Sequence, residues 1–228
     1  MLILSLDTTT RGGSCALLRD DLVVCEQPGD ASRDQAERLP GDLAALLQRE
    51  SLTLDAIDAF AVATGPGSFT GLRVGIATMQ GLAFATGKPL IGVSAFEALA
   101  KRADDADREA VATWIDAWRG EVFAALYEGG REAGAPVVAP PEALLEQRRG
   151  KTTRFTGDGA ALYEQQIRAT LGDAARFTTP IAPPLAGAVA ALAAEAFMAG
   201  HRPLPHAIRP IYVRRSDAEL AADRKGAR

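Results

Sequence analysis

The sequence is poor in the residues on which metal and redox chemistry depend. It contains two cysteines, Cys15 and Cys25, and two histidines, His201 and His206. Two prolines interrupt the segment between the histidines, so the imidazoles cannot share one face of a helix, and no cysteine or acidic cluster joins them. We therefore expect no metal site. We also expect a reduced pair of cysteines, nearly opposite each other on a predicted hairpin, rather than a disulfide.

Long apolar runs and a strong net charge are missing as well. No stretch approaches the roughly 18 apolar residues that cross a membrane, and the 228 residues carry a formal net charge of only −4. The chain starts with an apolar run that soon reaches Asp7, which is typical of a strand and not of a signal peptide. These absences favour a globular cytoplasmic protein of one large or two small domains.

Positive charge is concentrated towards the C-terminal end. The basic residues after Ile208 are Arg209, Arg214, Arg215, Arg224, Lys225 and Arg228. Basic clusters of this modest size are usually solvated, so we interpret this one as a solvated tail in preference to an RNA contact.

Motifs for covalent catalysis and phosphate binding are incomplete. No serine occupies a G-x-S-x-G elbow, and no cysteine has an evident neighbouring base. Residues 65–71, Gly-Pro-Gly-Ser-Phe-Thr-Gly, form a glycine-rich loop that opens a helix, where backbone N–H groups attract anions. Because the loop lacks the Lys-Ser/Thr pair of a P-loop, we favour a tight turn with close helix packing over nucleotide binding.

The helix after this loop, residues 72–85, has an unusual distribution of side chains. Arg73 and Gln80 form one narrow polar stripe, and apolar residues occupy the helix on both sides of it. A helix that is apolar nearly all round is covered on more than one side. Its own sheet can cover one side, so a second element must cover the other.

The order of predicted elements indicates an α/β fold with mixed strands in two lobes. A polar, acidic stretch near residues 103–107 marks the lobe boundary. We assign residues 1–103 to the first lobe and 104–228 to a smaller, degenerate second lobe, whose tail is able to return to the first. The main predicted strands are 2–7, 15–18, 22–27, 57–64, 89–93, 110–116 and 120–127, and an amphipathic helix is predicted over 34–49.

The two predicted lobes begin alike. Residues 6–17 and 115–126 both follow the order strand, Asp, Arg-Gly turn, strand, which indicates a duplicated lobe. The two acids are Asp7, followed by Thr8 and Thr9, and Asp116. An Asp before a hydroxyl-rich turn is a way to hold nucleotide phosphates, but the glycine that lets backbone close on phosphate is absent here. We therefore favour a structural Asp that accepts hydrogen bonds from its own turn.

The motifs together resemble the TsaB (YeaZ) family. The block at 65–78, Gly-Pro-Gly-Ser-Phe-Thr-Gly-Leu-Arg-Val-Gly-Ile-Ala-Thr, is highly specific, and the resemblance covers nearly the whole chain. The other matching stretches are residues 4–9, 80–83, 91–94, 115–117, 157–159 and 210–214.

The resemblance implies a two-lobed actin/Hsp70/sugar-kinase-like (ribonuclease H-like) fold and a non-catalytic role. Such proteins are partners of TsaD, which transfers a threonylcarbamoyl group to N6 of the adenosine beside the anticodon in tRNAs that read ANN codons. The family implies a heterodimer with TsaD, joined by the ATPase TsaE, a homodimer when TsaD is absent, and tRNA contact only through the complex. It implies no cofactor of its own, with ATP or ADP expected only at the interface of the complex. TsaD relatives bind metal through a His-x-x-x-His pair on the first helix, whereas residues 34–40 contain no histidine.

The same resemblance implies that two helices of the first lobe form the subunit interface. Small residues on the second helix are expected to let another backbone approach, so that Gly75→Leu or Gly81→Leu would uncouple dimerisation and leave the fold intact. The expected interface residues are Gln35, Arg38, Leu39, Asp42, Leu43, Leu46, Thr70, Gly71, Val74, Gly75, Thr78, Gly81 and Leu82. Asp7, Thr8, Thr9 and Asp116 are expected to be a vestigial phosphate site. The alternative functions are an ATPase or small-molecule kinase that uses Asp7 and Asp116, and a glycoprotease, which the histidine placement disfavours.

Overall fold

The first half of the chain forms a five-stranded sheet with three helices. The computed structural model describes residues 1–103 and 109–213. The elements of this half are β1 (Leu2–Asp7), β2 (Ser14–Arg19), β3 (Leu22–Pro28), α1 (Gln35–Arg49), β4 (Ala59–Gly65), α2 (Phe69–Thr86), β5 (Leu90–Ser94) and α3 (Ala95–Ala103). The strand order is β3-β2-β1-β4-β5. The first three strands form antiparallel pairs, whereas β4 is parallel to β1 and β5 is parallel to β4.

The second half repeats this plan. Its elements are β6 (Ala110–Asp116), β7 (Val122–Glu128), β8 (Arg131–Glu132), β9 (Val137–Ala139), α4 (Pro141–Arg148), β10 (Thr153–Thr156), α5 (Asp158–Leu162), α6 (Glu164–Leu171), β11 (Ala175–Phe177) and α7 (Ala186–Met198). The order is β11-β10-β6-β7-β8, and β9 also pairs with β7. Read from the other end, this order is β8-β7-β6-β10-β11, with β6 in the central place that β1 has in the first sheet. The directions of the paired strands then match those of the first sheet as well. The predicted duplication and the mixed α/β fold are confirmed.

Local sequence explains where helices α1 and α2 begin. The Asp34 side chain caps α1 by accepting a hydrogen bond from the Ala36 N–H at 3.0 Å. The Ser68 hydroxyl caps α2 in the same way, accepting from the Gly71 N–H at 3.2 Å. Helix α2 ends where Gly87 takes a left-handed conformation, with φ of 67°. The glycine-rich loop is therefore a helix start of defined geometry.

The last helix of each half packs against the sheet of the other half. Helix α3 contacts β6, β7 and β10, while α7 lies across the first sheet. The Ser14 hydroxyl accepts hydrogen bonds from the N–H groups of Leu185 and Ala186, and the Glu26 carboxylate accepts from Gly187 N–H at 2.7 Å. The N-terminus of α7 is thus satisfied by side chains of the first half, and one apolar core spans both halves.

The segment that follows α7 returns along α2. We call residues 205–213 the strap. The Gln80 side chain donates to the carbonyls of Pro205 and Ile208, at 2.9 and 3.1 Å, and Ile211 N–H donates to the Thr64 carbonyl at 2.7 Å. The strap therefore packs along the polar stripe of α2. Of the basic residues at the C-terminal end, Arg209 lies on the strap, and the others lie outside the described residues.

The two cysteines lie buried in the antiparallel part of the first sheet. Cys15 on β2 and Cys25 on β3 carry free thiols. In the register of the strands Cys25 lies opposite Leu17, and Cys15 opposite Gln27. The cysteines are therefore two pairs apart in register and not directly opposite each other. Burial raises the pKa of the Cys15 thiol to about 12.

Candidate docking surface and interlobe cleft

Helix α2 has one long face that nothing in the described chain covers. Helix α1 packs against one flank of α2, and the strap lies on the other. Between them is a row of exposed or half-buried residues, which we call the α2 stripe: Thr70, Val74, Ala77, Gly81, Phe84 and Ala85. Phe84 is 84% exposed, the most exposed of the large apolar side chains that the structure describes. A protruding aromatic ring among small residues is a typical anchor for a partner.

Several of the predicted interface residues lie on or beside this stripe. Thr70 and Gly81 are exposed, and Val74, Thr78 and Leu82 are half-buried. The hydroxyl of Thr78 donates to the Val74 carbonyl at 2.8 Å, so it is satisfied within the helix. These positions are placed where a second subunit can reach them, and their role in binding stays a prediction.

The predicted interface leucines of α1 lie elsewhere. Leu39, Leu43 and Leu46 are 2%, 4% and 0% exposed and belong to the core beneath the first sheet. The amphipathic face of α1 is turned towards its own chain, where these side chains pack with β-strand and α2 residues. Because they are covered within one chain, the prediction that they contact another subunit is wrong.

The polar residues of α1 hold the turn between β1 and β2. Arg38 is 3% exposed, and its guanidinium pairs with Asp42 and donates to the Gly12 carbonyl. The Gln35 side chain donates to the Thr10 carbonyl at 2.8 Å. Arg38 therefore binds groups of its own chain and is not an interface residue. This corrects the prediction that Arg38 contacts a second subunit. Gln35 and Asp42 are half-buried and remain reachable.

Two of the predicted interface glycines face their own chain. A Cβ on Gly75 would lie 2.1 Å from the Thr8 hydroxyl oxygen, and a Cβ on Gly71 would lie 2.4 Å from the Thr8 carbonyl oxygen. Both glycines are buried and let α2 approach the end of β1. They do not make room for a second subunit, so that part of the prediction is wrong. Gly81 differs, because nothing lies within 4 Å of a Cβ built there.

The Asp7 carboxylate at the end of β1 accepts hydrogen bonds from the following turn, in which the buried Thr8 hydroxyl has no partner among the described residues. Asp7 is 2% exposed, and its carboxylate accepts hydrogen bonds from the Thr9 N–H at 2.9 Å and the Thr9 hydroxyl at 2.6 Å. Thr8 is fully buried against Gly75, and the Thr9 carbonyl accepts from the Ser68 N–H at 2.8 Å. The glycine-rich loop therefore closes on the turn in which a phosphate would have to lie. The structural interpretation of Asp7 is confirmed.

The matching acid in the second half behaves in the same way. The Asp116 carboxylate accepts from the Trp118 N–H at 2.8 Å. Its own N–H donates to the carboxylate of Asp158 at 3.1 Å, and Asp158 also accepts from Gly159 N–H. Sequence reasoning singled out Asp116 and missed Asp158, although the Gly-Asp-Gly sequence at 157–159 signalled a turn at the equivalent strand end. The structure thus brings Asp158 to the cleft between the halves, while Asp7 lies buried at the end of β1.

The cleft is acidic and small. Its cavity, about 320 Å³, is bordered by backbone of the β1–β2 turn, by the loop at 182–185 and by Asp158. Burial, with the neighbouring charge of Asp116, raises the pKa of Asp158 above its ordinary value. Burial raises the pKa of Asp7 to about 6, against the lowering effect of its Thr9 hydrogen bonds. The N-terminus of α7, which would attract an anion, already holds the carboxylate of Glu26.

The described residues contain neither a cluster of metal ligands nor a membrane-spanning helix. Within 1–103 and 109–213, no three or more His, Cys, Asp or Glu side chains come together as metal ligands. No helix in these two ranges combines the length and the apolar character that a membrane crossing requires.

The duplicated sheets, the crossed last helices of the two halves and the cleft between paired strand–Asp turns define a two-lobed protein of the actin/Hsp70/sugar-kinase fold class. The family model described as "TsaD: tRNA N6-adenosine threonylcarbamoyltransferase" matches residues 26–222. The tRNA threonylcarbamoyladenosine biosynthesis protein TsaB of Haemophilus influenzae is 31% identical over 226 residues, 93% of either chain. The solved structure of YeaZ from Pseudomonas aeruginosa superposes with a TM-score of 0.75 at 32% identity, covering 92% of this chain and 99% of that one. The chain belongs to the TsaB (YeaZ) family.

Proposed function

We propose that the chain is a non-catalytic subunit that docks on the TsaD threonylcarbamoyltransferase and supports its activity. The observation that carries the proposal is the α2 stripe, where Phe84 projects from a helix face lined with small residues. A large apolar side chain at 84% exposure is costly to leave in water and gains energy when a partner covers it.

The cleft supports the non-catalytic part of the proposal. Asp7 and Asp116 each accept hydrogen bonds from their own turns, and Thr8 is packed against α2. A kinase or ATPase needs these carboxylates turned towards a metal–nucleotide complex, with donors free to hold the phosphates. Here the nearest helix N-terminus is occupied by the protein's own Glu26. These contacts favour a docking role over an ATPase or kinase that uses Asp7 and Asp116.

The partners follow from the family. H. influenzae TsaB, 31% identical to this chain, is named for tRNA threonylcarbamoyladenosine biosynthesis, and the matching family model is that of the transferase itself. We infer a heterodimer with TsaD in the cytoplasm, joined by the ATPase TsaE, with the α2 stripe covered by TsaD. When TsaD is absent, the same stripe would pair with a second copy of this chain.

A reconstituted transfer assay tests the proposal. Purified TsaD, TsaE and an unmodified ANN-reading tRNA are supplied with an activated threonylcarbamoyl donor and ATP, with and without this chain. We expect modification of N6 of the adenosine beside the anticodon to depend on the chain. The Asp7→Asn and Asp116→Asn variants should retain full support, since neither carboxylate acts in chemistry. Support that is lost in both variants while they remain folded would contradict the non-catalytic role.

A further inference from the structure

One surface of the molecule differs sharply from the rest in charge. The whole chain is acidic, with 29 Asp and Glu against 25 Lys and Arg. No acidic residue occurs between Asp58 and Glu97, the stretch that contains α2, and none occurs between Glu195 and Asp217, the stretch that contains the strap. Because the strap lies on α2, the fold joins these two acid-free stretches into one surface.

Within residues 1–103 and 109–213, aromatic rings and not carboxylates hold two cations of this surface in place. The guanidinium of Arg73 stacks over the Phe69 ring at 3.8 Å, and its Nε donates to the Tyr212 hydroxyl at 3.2 Å. The guanidinium of Arg202 stacks over the Phe197 ring at 4.1 Å. Stacking on a ring leaves the guanidinium edge available for an outside acceptor.

A third arginine completes the set. Arg209 is exposed on the strap and donates to the backbone carbonyl of His206. In the rest of the described chain, most arginines that make a polar side-chain contact form an ion pair with a carboxylate, as Arg102 does with Glu26 and Arg168 with Glu164. We call Arg73, Arg202 and Arg209, together with the exposed ring of Tyr212, the basic strip.

We propose that the basic strip contacts the phosphate backbone of RNA. The guanidinium groups of Arg73 and Arg202, fixed by aromatic rings, suit phosphate oxygens, and Tyr212, which is 46% exposed, offers a stacking face for an unpaired base. The inference rests on the proposed function, because the strip borders the α2 stripe, and a tRNA held by the docked TsaD would lie within reach of it. An acidic protein surface could also meet these cations, and the experiment separates the two.

The test measures binding of an unmodified tRNA transcript by fluorescence anisotropy at several salt concentrations, for the chain alone and for its complex with TsaD. The variant is Arg202→Gln with Arg209→Gln. The matched control is Arg149→Gln with Arg176→Gln, two exposed arginines of the second half that remove the same charge. We expect the strip variant to weaken tRNA binding about fivefold. It should also reduce the salt slope, which is the slope of the logarithm of the binding constant against the logarithm of the salt concentration, by about 1–2. The control should change each quantity by less than half as much.

Two further measurements make the outcome decisive. Co-elution with TsaD in RNA-free buffer should be the same for wild type and both variants, which keeps failure of docking distinct from failure of RNA contact. Polyglutamate of similar length should not compete with tRNA at equal charge. Unchanged tRNA affinity and salt slope in the strip variant would overturn the proposal. Weakened co-elution with TsaD, with tRNA binding unaffected, would overturn it too and assign the strip to the protein partner.

Discussion

A Cβ on Gly75 would lie 2.1 Å from the hydroxyl oxygen of Thr8. This contact joins α2 to the end of β1 and fills the turn that, in a nucleotide-binding relative of the fold, would face phosphate. The glycines of α2 therefore serve two different purposes. Gly71 and Gly75 serve internal packing, whereas Gly81 lies open on the α2 stripe.

The first prediction concerns these glycines. Gly75→Ala should lower the free energy of unfolding by about 1–3 kcal/mol, because the new methyl group overlaps Thr8 in a packed interior. Gly81→Ala should raise it by up to about 1 kcal/mol, since alanine is the better helix former and has open space. Urea titrations of both variants check this. Combining Gly75→Ala with Thr8→Ala should recover part of the loss. If the double variant loses as much free energy of unfolding as the two single variants lose together, the result would argue against the contact.

The second prediction concerns Asp7 and pH. Its pKa of about 6 in the folded protein lies above the ordinary value of 3.8, so the folded state binds this proton more tightly than the unfolded chain. The contribution of Asp7 to stability is therefore most favourable below pH 4 and is lost as pH rises through 6, a change of about 3 kcal/mol at about 1.4 kcal/mol per pKa unit. Asp7→Asn should raise the melting temperature at pH 8 and have little effect near pH 4.

The control for this titration is Asp173→Asn, on an exposed turn of the second half. It should shift the melting temperature little at either pH. A gain for Asp7→Asn that is equal at pH 4 and pH 8 would show that the effect is not linked to the proton. A loss of stability at pH 8 would show that the ionised carboxylate is better accommodated than its burial indicates.

The third prediction concerns the strap. The Gln80→Ala substitution removes both side-chain donors to the strap carbonyls, which costs about 1–2 kcal/mol of local stability. The Ile211 amide, which donates to Thr64, should then exchange its hydrogen roughly 5–30 times faster. The matched change Gln48→Ala, on the exposed side of α1, should leave that exchange rate unaltered. An unchanged rate in Gln80→Ala would mean that the other contacts of the strap hold it without the Gln80 hydrogen bonds.

Much of the fold follows from local patterns in the sequence. Continuous apolar runs that end in Asp7 and Asp116 indicated the two central strands, and the strand–Asp–turn–strand repeat indicated the duplication. The helix predicted over 34–49 agrees with α1, since its Asp34 cap depends on a residue and its immediate neighbours, whereas α2 begins at Phe69, before its predicted start at residue 72. These features need no knowledge of the tertiary structure.

The candidate site was harder to predict because periodicity does not identify what a face packs against. The leucines of α1 formed a clear amphipathic face, and the pattern is the same whether that face meets its own sheet or another subunit. Gly75 appeared free for the same reason, since its contact with Thr8 joins distant segments. A tail that returns to the first lobe was expected, but its place on α2 was not, because residues 205–213 have no regular pattern and the bonds to Gln80 are made by backbone carbonyls.

Binding of TsaD by a Phe84 variant is the most direct test of the docking role. We expect Phe84→Glu to weaken the heterodimer at least tenfold in isothermal titration calorimetry, because the exposed ring is the anchor of the α2 stripe. Leu22→Glu, at a leucine that is 68% exposed on the far edge of the first sheet, is the matched control and should bind as wild type does. Equal affinity of the Phe84→Glu variant and wild type for TsaD would contradict the account.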